Sequence, residues 1–220
     1  MFEDALSKKA QAILSRLSAY LTEWCFYLAG GSGLALQIGH RLSEDLDFFR
    51  QETFDTQRLS RLLEDQGGNL RYILQEQHTL IVEYEDVHLS FFQYGVPLIF
   101  PVLMVMGIPV ADWRDIVAEK FKTLSQRGSK KDFYDFYDFY DLYEIFAFGH
   151  LTIQDGTGFF KKRFENTGIN LYHVLRSLTF FEDAQDDPEP RLLLHNYEWK
   201  EVKEFFKDHI REFEHYLLEG

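Results

Sequence analysis

Two aspartates separated by a single leucine are the residues of this chain best suited to chemistry. Asp45 and Asp47 stand in Glu-Asp-Leu-Asp-Phe-Phe, where acidic and apolar residues alternate. That period is typical of a β-strand, on which residues i and i+2 project from the same face. Two such carboxylates can bind one Mg²⁺, which accepts one or two carboxylates together with phosphate oxygens and water. An isolated Asp-x-Asp is also the ordinary polar face of an edge strand, so the pair alone leaves both interpretations open.

A glycine turn upstream of the pair favours the metal interpretation. Gly30 and Gly31 are followed by Ser32, and we expect a helix to begin at or near Ser32 with this serine as its N-cap. Bare backbone N–H groups, a hydroxyl and the helix dipole would then face a triphosphate. Arg41, between the turn and the aspartates, is a candidate phosphate contact on chemical grounds, although it could equally pair with Glu44 or Asp45.

The elements around these motifs predict an α+β fold, with a mixed β-sheet of about five strands and flanking helices followed by a helical C-terminal half. Apolar residues at three- and four-residue spacing indicate a first helix. Three later segments of similar length with short connections are strand candidates, and the acidic, proline-bearing segment 182–190 indicates a loop. The predicted helices cover 4–21, a segment starting near Ser32, 55–66, 112–126, 130–148, 169–180 and 198–218, and the strands cover 24–30, 44–49, 70–77, 79–86 and 87–95.

Composition limits the partners of the protein. The 220 residues carry 23 basic and 36 acidic side chains, a formal net charge of −13. Non-specific nucleic-acid binding relies on a positive surface, so a nucleic-acid partner would need a local basic patch. No long apolar run suggests a membrane span and the N-terminus lacks a signal-peptide profile, so we expect a cytoplasmic protein.

Cys25 is the single cysteine, which excludes an intramolecular disulfide. It lies in the apolar run Trp24-Cys25-Phe26-Tyr27. We therefore expect a small core residue rather than a nucleophile.

A triplet repeat places an aspartate at every third position from Asp132 to Asp141. A three-residue step turns an α-helix by about 300°, so the four aspartates spiral around the helix instead of holding one face. At most an adjacent pair can therefore serve one site.

Two blocks of the sequence resemble a known enzyme family. GGSGLALQIGHRLSEDLDFF (residues 30–49) resembles the opening motif of the DNA polymerase β-type nucleotidyltransferase superfamily, where a Gly-Gly/Ser turn precedes Asp-x-Asp. Within it the chain is most similar to the AbiEii/AbiGii toxin family, whose members carry Gly-His-Arg before Ser-x-Asp-Leu-Asp-Phe-Phe. DIVAEKFKTLSQRGSKKDFYD (residues 115–135) resembles that family's second block, a helix lysine, an Arg-Gly turn and a basic residue before Asp-x-x-Asp. With the C-terminal segment 172–190, the likeness covers most of residues 24–200.

The resemblance implies a nucleotidyltransferase-type fold, with an α/β core over residues 1–111 and a helical domain over 112–220 that contributes Lys120 and Asp132 to the cleft. It also implies the site residues. The phosphate-cradling turn would be Gly30, Gly31 and Ser32, the metal-binding pair Asp45 and Asp47, the phosphate-contacting lysine Lys120, and the orienting or basic residue Asp132.

The chain departs from the pattern at two places. Many polymerase β-type enzymes supply a third metal carboxylate from a later strand, but the corresponding segment here offers Ser90 and no acid. The triplet repeat also leaves open whether Asp132–Asp135 or Asp138–Asp141 faces the site. We favour Asp132 because Lys130 and Lys131 directly precede it, as in the family pattern.

The resemblance implies an enzyme that uses Mg²⁺, with Mn²⁺ as the alternative metal, to move a nucleoside monophosphate from an NTP to an acceptor hydroxyl on tRNA or protein. The setting would be a type IV toxin–antitoxin or phage-defence system, with a cognate antitoxin protein as a further partner. Two alternatives stay open: a non-catalytic nucleotide-binding or protein-interaction module of the same fold, and a nucleotidyltransferase that acts on an antibiotic-type small molecule.

Overall fold

The computed structural model describes residues 1–141 and 152–219. The chain forms two compact units, Met1–Asp112 and Trp113–Gly220. The first is an α/β unit and the second is helical in the part that the structure describes.

The first unit is built on one mixed sheet. Its helices are α1 (Lys8–Glu23), α2 (Gly30–Ile38) and α3 (Thr56–Asp65), after a short 3₁₀ turn at Glu3–Ala5. Its strands are β1 (Tyr27–Ala29), β2 (Leu46–Arg50), β3 (Leu70–Glu76), β4 (Thr79–Tyr84), β5 (Val87–Gln93), β6 (Leu103–Val105) and β7 (Ile108–Val110). The spatial order is β3-β4-β5-β2-β1-β7-β6, with β2 parallel to β5, β1 parallel to β7 and the other neighbours antiparallel.

Alternation along the strands separates a core face of the sheet from a polar one. Leu28, Phe48 and Phe91 lie side by side on the three central strands and are completely buried. They belong to the same core as the apolar stripes of α1 and α3, represented by Leu17 and Leu63. The residues that alternate with them, including Asp47, therefore point to the opposite face.

The predicted mixed sheet is confirmed, but it has seven strands instead of about five. The additional strands, β6 and β7, are three residues each and are joined by a tight turn at Met106 and Gly107, which both adopt positive φ. Strands this short do not show enough alternation to be recognised within the apolar run 102–110.

The prediction that Cys25 is a core residue is wrong, because its side chain is exposed. Trp24 ends α1 and Cys25 adopts φ +57° in the turn before β1. The buried part of the apolar run therefore starts only at Phe26, which is 1% exposed.

The second unit contains α4 (Trp113–Arg127), α5 (Lys130–Asp141), α6 (Ile153–Phe164), α7 (Leu171–Ser177) and α8 (Trp199–Glu214), which continues as a π-helical turn at His215–Glu219. The helices predicted near 112–126, 169–180 and 198–218 are confirmed, and so is the loop at 182–190. The part of the predicted helix 130–148 beyond Asp141 lies outside the described residues. Helix α6 is not among the helices predicted from the sequence, although Thr152 and Asp155 form a capping box at its start.

Candidate functional site

The Asp45–Asp47 pair lies at the start of β2. The strand begins at Leu46, so Asp47 belongs to the sheet and Asp45 directly precedes it. Leu46 and Phe48 are completely buried, whereas Asp45 is exposed and Asp47 is half-buried. The predicted alternation is therefore present from Leu46 onwards, and it places Asp47 on the face opposite the core. The prediction that Asp45 also belongs to the strand is wrong, because the strand begins one residue later.

Asp47 is enclosed by its neighbours on both sides. Its backbone lies opposite Ala29 of β1 and Ser90 of β5. Gly30 follows Ala29 with φ +61°, and a Cβ atom placed on it would lie 2.7 Å from Asp47 Oδ2. Glycine is favoured here, because a side chain would be strained by the left-handed backbone and would force the carboxylate to shift. The structure thus brings the glycine turn and Asp47 into direct proximity.

Ser32 does not cap the helix as predicted. Helix α2 begins at Gly30, and its N-cap is Ala29, which makes no side-chain cap. The positive φ of Gly30 turns β1 straight into the helix, so Ser32 lies within the first turn. Its hydroxyl is buried, donates to the backbone carbonyl of Asp45 and lies 2.8 Å from Ser43 Oγ.

Arg41 is buried beside this serine pair. It is 4% exposed, and its Nη1 donates to the Leu42 carbonyl at 3.2 Å and to Ser43 Oγ at 3.4 Å. Its assignment as a nucleotide contact stays a prediction. These two hydrogen bonds place the guanidinium against the segment that leads into β2.

The second unit brings the two other predicted residues together. Lys120 of α4 lies with its Nζ 2.7 Å from Asp132 Oδ1, and Ser129 Oγ donates to the other oxygen of Asp132 at 2.5 Å. Asp135, one turn further along α5, approaches the same ammonium group to 2.6 Å. Lys120, Asp132 and Asp135 are 6%, 7% and 0% exposed, so this is a buried cluster.

Asp135 was not among the predicted site residues. The expectation that only an adjacent pair of the aspartate repeat shares a site agrees with the contact of Asp132 and Asp135 with one lysine. Asp138 is also buried, and the side chain of Asp141 lies outside the described residues. Asp132 and Asp135 are distinguished from the later aspartates by their contact with Lys120 on the neighbouring helix. The sequence of the repeat does not indicate which pair makes this contact.

The acidic loop 182–190 fixes the start of α5. Lys130 Nζ donates to the Asp187 carbonyl at 2.6 Å and to Glu189 Oε1 at 3.1 Å, and Tyr134 donates its phenol to Glu189 Oε2 at 2.6 Å. Burial raises the pKa of the Tyr134 phenol, and the hydrogen bond to Glu189 raises this pKa further. The loop therefore orders the helix turn that carries Asp132.

The donor set of the first unit fits a cation that its substrate helps to bind. Within residues 1–141 and 152–219, no group of three or more histidine, cysteine, aspartate or glutamate side chains could hold a metal ion alone. Two carboxylates are nevertheless the number that Mg²⁺ uses when phosphate oxygens and water complete its six ligands. The absence of a side chain at Gly30 lets the start of α2 lie close to Asp47 Oδ2.

The sites predicted from the sequence therefore form two groups, one in each unit. The first group lies at the β1–α2 turn and consists of Gly30, Ser32, Arg41 and Asp45–Asp47, with Gly31 in the first turn of α2. Lys120 and Asp132 lie together between α4 and α5.

Comparisons with known proteins show the family and the fold of the chain. A family model described as "Nucleotidyl transferase AbiEii toxin, Type IV TA system" matches residues 12–217. The protein named "Uncharacterized protein aq_aa25" from Aquifex aeolicus (strain VF5) is 35% identical over 196 residues, which cover 86% of this chain and 87% of that protein.

Two solved structures share the fold. MenT4, a nucleotidyltransferase toxin from Mycobacterium tuberculosis H37Rv, is 16% identical with a TM-score of 0.55, over 94% of this chain and 90% of that one. JHP933 from Helicobacter pylori is 16% identical with a TM-score of 0.50, over 96% of this chain and 94% of that one. In the described residues, no helix is long and apolar enough to cross a membrane.

Proposed function

The chain belongs to the AbiEii family of nucleotidyl transferase toxins, and from that premise we propose that it transfers a nucleoside monophosphate from an NTP to an acceptor hydroxyl with Mg²⁺, or Mn²⁺, at Asp45 and Asp47. The contact between Gly30 and Asp47 carries the proposal. It juxtaposes a helix N-terminus, which favours anions, with a carboxylate that suits a cation. A nucleoside triphosphate with its metal needs an anion-binding helix N-terminus and a cation-binding carboxylate close to each other.

The chain's own groups have separate roles in this reaction. The backbone N–H groups of Gly31 and its neighbours at the start of α2 bind the triphosphate oxygens, assisted by the helix dipole. Asp45 and Asp47 would hold the divalent cation, which would supply neutralisation of the phosphate charge. The sheet holds Asp47 in place through its paired neighbours Ala29 and Ser90. Most of the catalysis is then positioning and charge neutralisation, as expected for phosphoryl-type transfer.

In the transfer step the acceptor oxygen forms a bond to the α-phosphorus, and the bond from that phosphorus to the bridging oxygen breaks, so pyrophosphate leaves. The acceptor hydroxyl gives its proton to a base, and we assign this role to Asp132. Its carboxylate is oriented by Lys120 and by Ser129. Lys120 is also the residue that we assign to the triphosphate, as a point charge.

The acceptor in this proposal is tRNA or a protein, and the NTP is the donor. An RNA acceptor must bind a chain of net charge −13 through local basic patches, so its reaction should slow as salt rises. The setting is a type IV toxin–antitoxin system in the cytoplasm with a cognate antitoxin, since the family model is described by that system.

A non-catalytic nucleotide-binding module is the second candidate. Ser90 of β5 lies directly beside Asp47, at the place where an acid would complete a three-carboxylate site, and it is 3% exposed. A protein that retains the fold but binds nucleotide without turnover would be compatible with that serine.

Labelled nucleotides separate the two candidates. The protein is incubated with Mg²⁺ and each NTP, labelled in turn at the α- and the γ-phosphate, with total tRNA, with a protein extract and alone. Nucleotidyl transfer predicts that the α-label enters a macromolecule while the γ-label leaves as pyrophosphate. Binding of nucleotide with neither label transferred to any acceptor would favour the module.

A further inference from the structure

We propose that Arg41, Ser43 and Ser32 form a directed chain of hydrogen bonds that holds the backbone of Asp45, which makes the two serines positioning residues for that carboxylate. The proposal rests on the proposed function in one respect: it takes Asp45 to be a metal ligand. It adds Ser43 to the site and gives Ser32 and Arg41 a task other than phosphate binding.

Asp45 needs such support because the sheet does not hold it. Asp47 is inside β2 and is paired with neighbours on both sides. Asp45 precedes the strand, and its side chain is exposed. The hydrogen bond that its carbonyl accepts from Ser32 Oγ therefore fixes the end of the segment that carries it.

The donors and acceptors permit one direction along the chain. A carbonyl oxygen only accepts and a serine hydroxyl has one proton, so Ser32 uses its proton on Asp45. Ser32 Oγ must then accept from Ser43 Oγ, 2.8 Å away. Ser43 has thereby used its own proton, and its oxygen accepts from Arg41 Nη1 at 3.4 Å, which can only donate.

The far end of the chain is anchored. The backbone N–H of Ser43 donates to the Ala5 carbonyl at 2.8 Å, and the Ser43 carbonyl accepts from the Ser7 N–H at 3.3 Å. Arg41, Ser43 and Ser32 are 4%, 5% and 1% exposed, so water does not compete for these bonds. The N-terminal segment, through Ser43, thus sets the position of a site residue far along the sequence.

A consequence for Ser32 follows from its single proton. Since that proton is directed at Asp45, the hydroxyl has none left to donate to a phosphate oxygen. The phosphate-binding groups of the turn are then the backbone N–H groups, and the serine acts through Asp45.

The test compares Ser43→Ala with Ser43→Thr, which keeps the hydroxyl, together with Ser32→Ala. Ser60→Ala is the matched control, because Ser60 is also a buried serine of this unit, 5% exposed, whose hydroxyl donates to the Thr56 carbonyl. Two affinities are measured by calorimetry for each folded variant: that for Mn²⁺ without nucleotide, and that for each NTP in EDTA.

We expect both alanine variants to weaken Mn²⁺ binding about 10-fold or more, the usual loss when a group that orients a metal ligand is removed. The affinity for metal-free NTP should stay unchanged, and Ser43→Thr and Ser60→Ala should match the wild type. In the transfer assay kcat should fall while KM for the NTP stays constant. If Ser32→Ala fails to fold, the comparison of Ser43→Ala with Ser43→Thr decides.

The proposal is overturned if Ser43→Ala binds Mn²⁺ like the wild type, if Ser32→Ala loses affinity for metal-free NTP, or if the wild type binds no Mn²⁺. A failure of the proposed function gives a different result. In that case no acceptor is labelled, while the Mn²⁺ affinities of the variants still follow the expected order.

Discussion

Replacement of Gly30 by alanine is the sharpest perturbation of the first unit that the structure offers. A Cβ atom at Gly30 would lie 2.7 Å from Asp47 Oδ2. The carboxylate must retreat to at least about 3.4 Å, where van der Waals contact is ordinary, and is therefore displaced by about 0.7 Å. Misplacement of a reacting group by about 1 Å can cost on the order of 10²-fold in rate. We expect Gly30→Ala to lower the transfer rate and the Mn²⁺ affinity by roughly 10- to 100-fold.

Backbone strain must be separated from this collision, and Gly67 offers the control. Gly67 also has a positive φ, +73°, but a Cβ atom there would meet nothing within 4 Å. Both alanine variants should lose roughly 1–2 kcal/mol of unfolding free energy from the left-handed backbone, measured by denaturant titration. Only Gly30→Ala should also lose metal affinity and transfer. If the two variants lose activity equally, or if neither does, the inferred contact between the turn and Asp47 is not part of the site.

Further predictions concern the second unit and the acceptor. Lys120→Met should lower the unfolding free energy by about 3–5 kcal/mol, because it leaves Asp132 and Asp135 buried without this lysine's charge. Adding Asp132→Asn and Asp135→Asn should restore most of the lost unfolding free energy, as measured by denaturant titration. No recovery would contradict the buried cluster. Tyr134→Phe should cost about 1 kcal/mol through the lost bond to Glu189. The pKa of Tyr134 is raised in the folded state. The stability difference between the wild type and Tyr134→Phe should therefore be complete below about pH 10 and shrink as the pH rises through the folded pKa. A stability difference that grows with pH would contradict this hydrogen bond to Glu189. If the acceptor is RNA, log rate against log salt should fall linearly with a slope that protein acceptors lack.

Local periodicity accounts for what could be predicted of the fold. The strands near 79–93 and the buried neighbours of Asp47 follow from two-residue alternation, which depends only on residues close in sequence. The errors occur where a single backbone angle decides the outcome. Positive φ at Cys25 turns its side chain to solvent, and positive φ at Gly30 starts α2 before Ser32. Residue types do not report such angles reliably, since Cys25 is not a residue that favours them.

The residues of the candidate site also divide into those that local sequence could predict and those that it could not. Asp45 and Asp47 could be proposed from their spacing, and Lys120 and Asp132 from the resemblance. Ser43 could not be proposed, and Asp135 could be named only as part of one of two possible pairs, because their contacts join segments distant in sequence: Ser43 meets Ser32, and Asp135 meets Lys120. A serine before an acidic strand, or an aspartate within a repeat, has no local signature of such a partner.

The role of the Asp45–Asp47 pair in nucleotidyl transfer is tested most directly with α-labelled NTP. Asp47→Asn keeps the shape of the side chain against Gly30 but removes the charge, and Glu44→Gln removes the charge of an exposed neighbour as the matched control. We expect Asp47→Asn to abolish transfer of the α-label to the acceptor, and Glu44→Gln to transfer it at the wild-type rate. Equal transfer by the wild type and Asp47→Asn would contradict a role of this pair in the reaction.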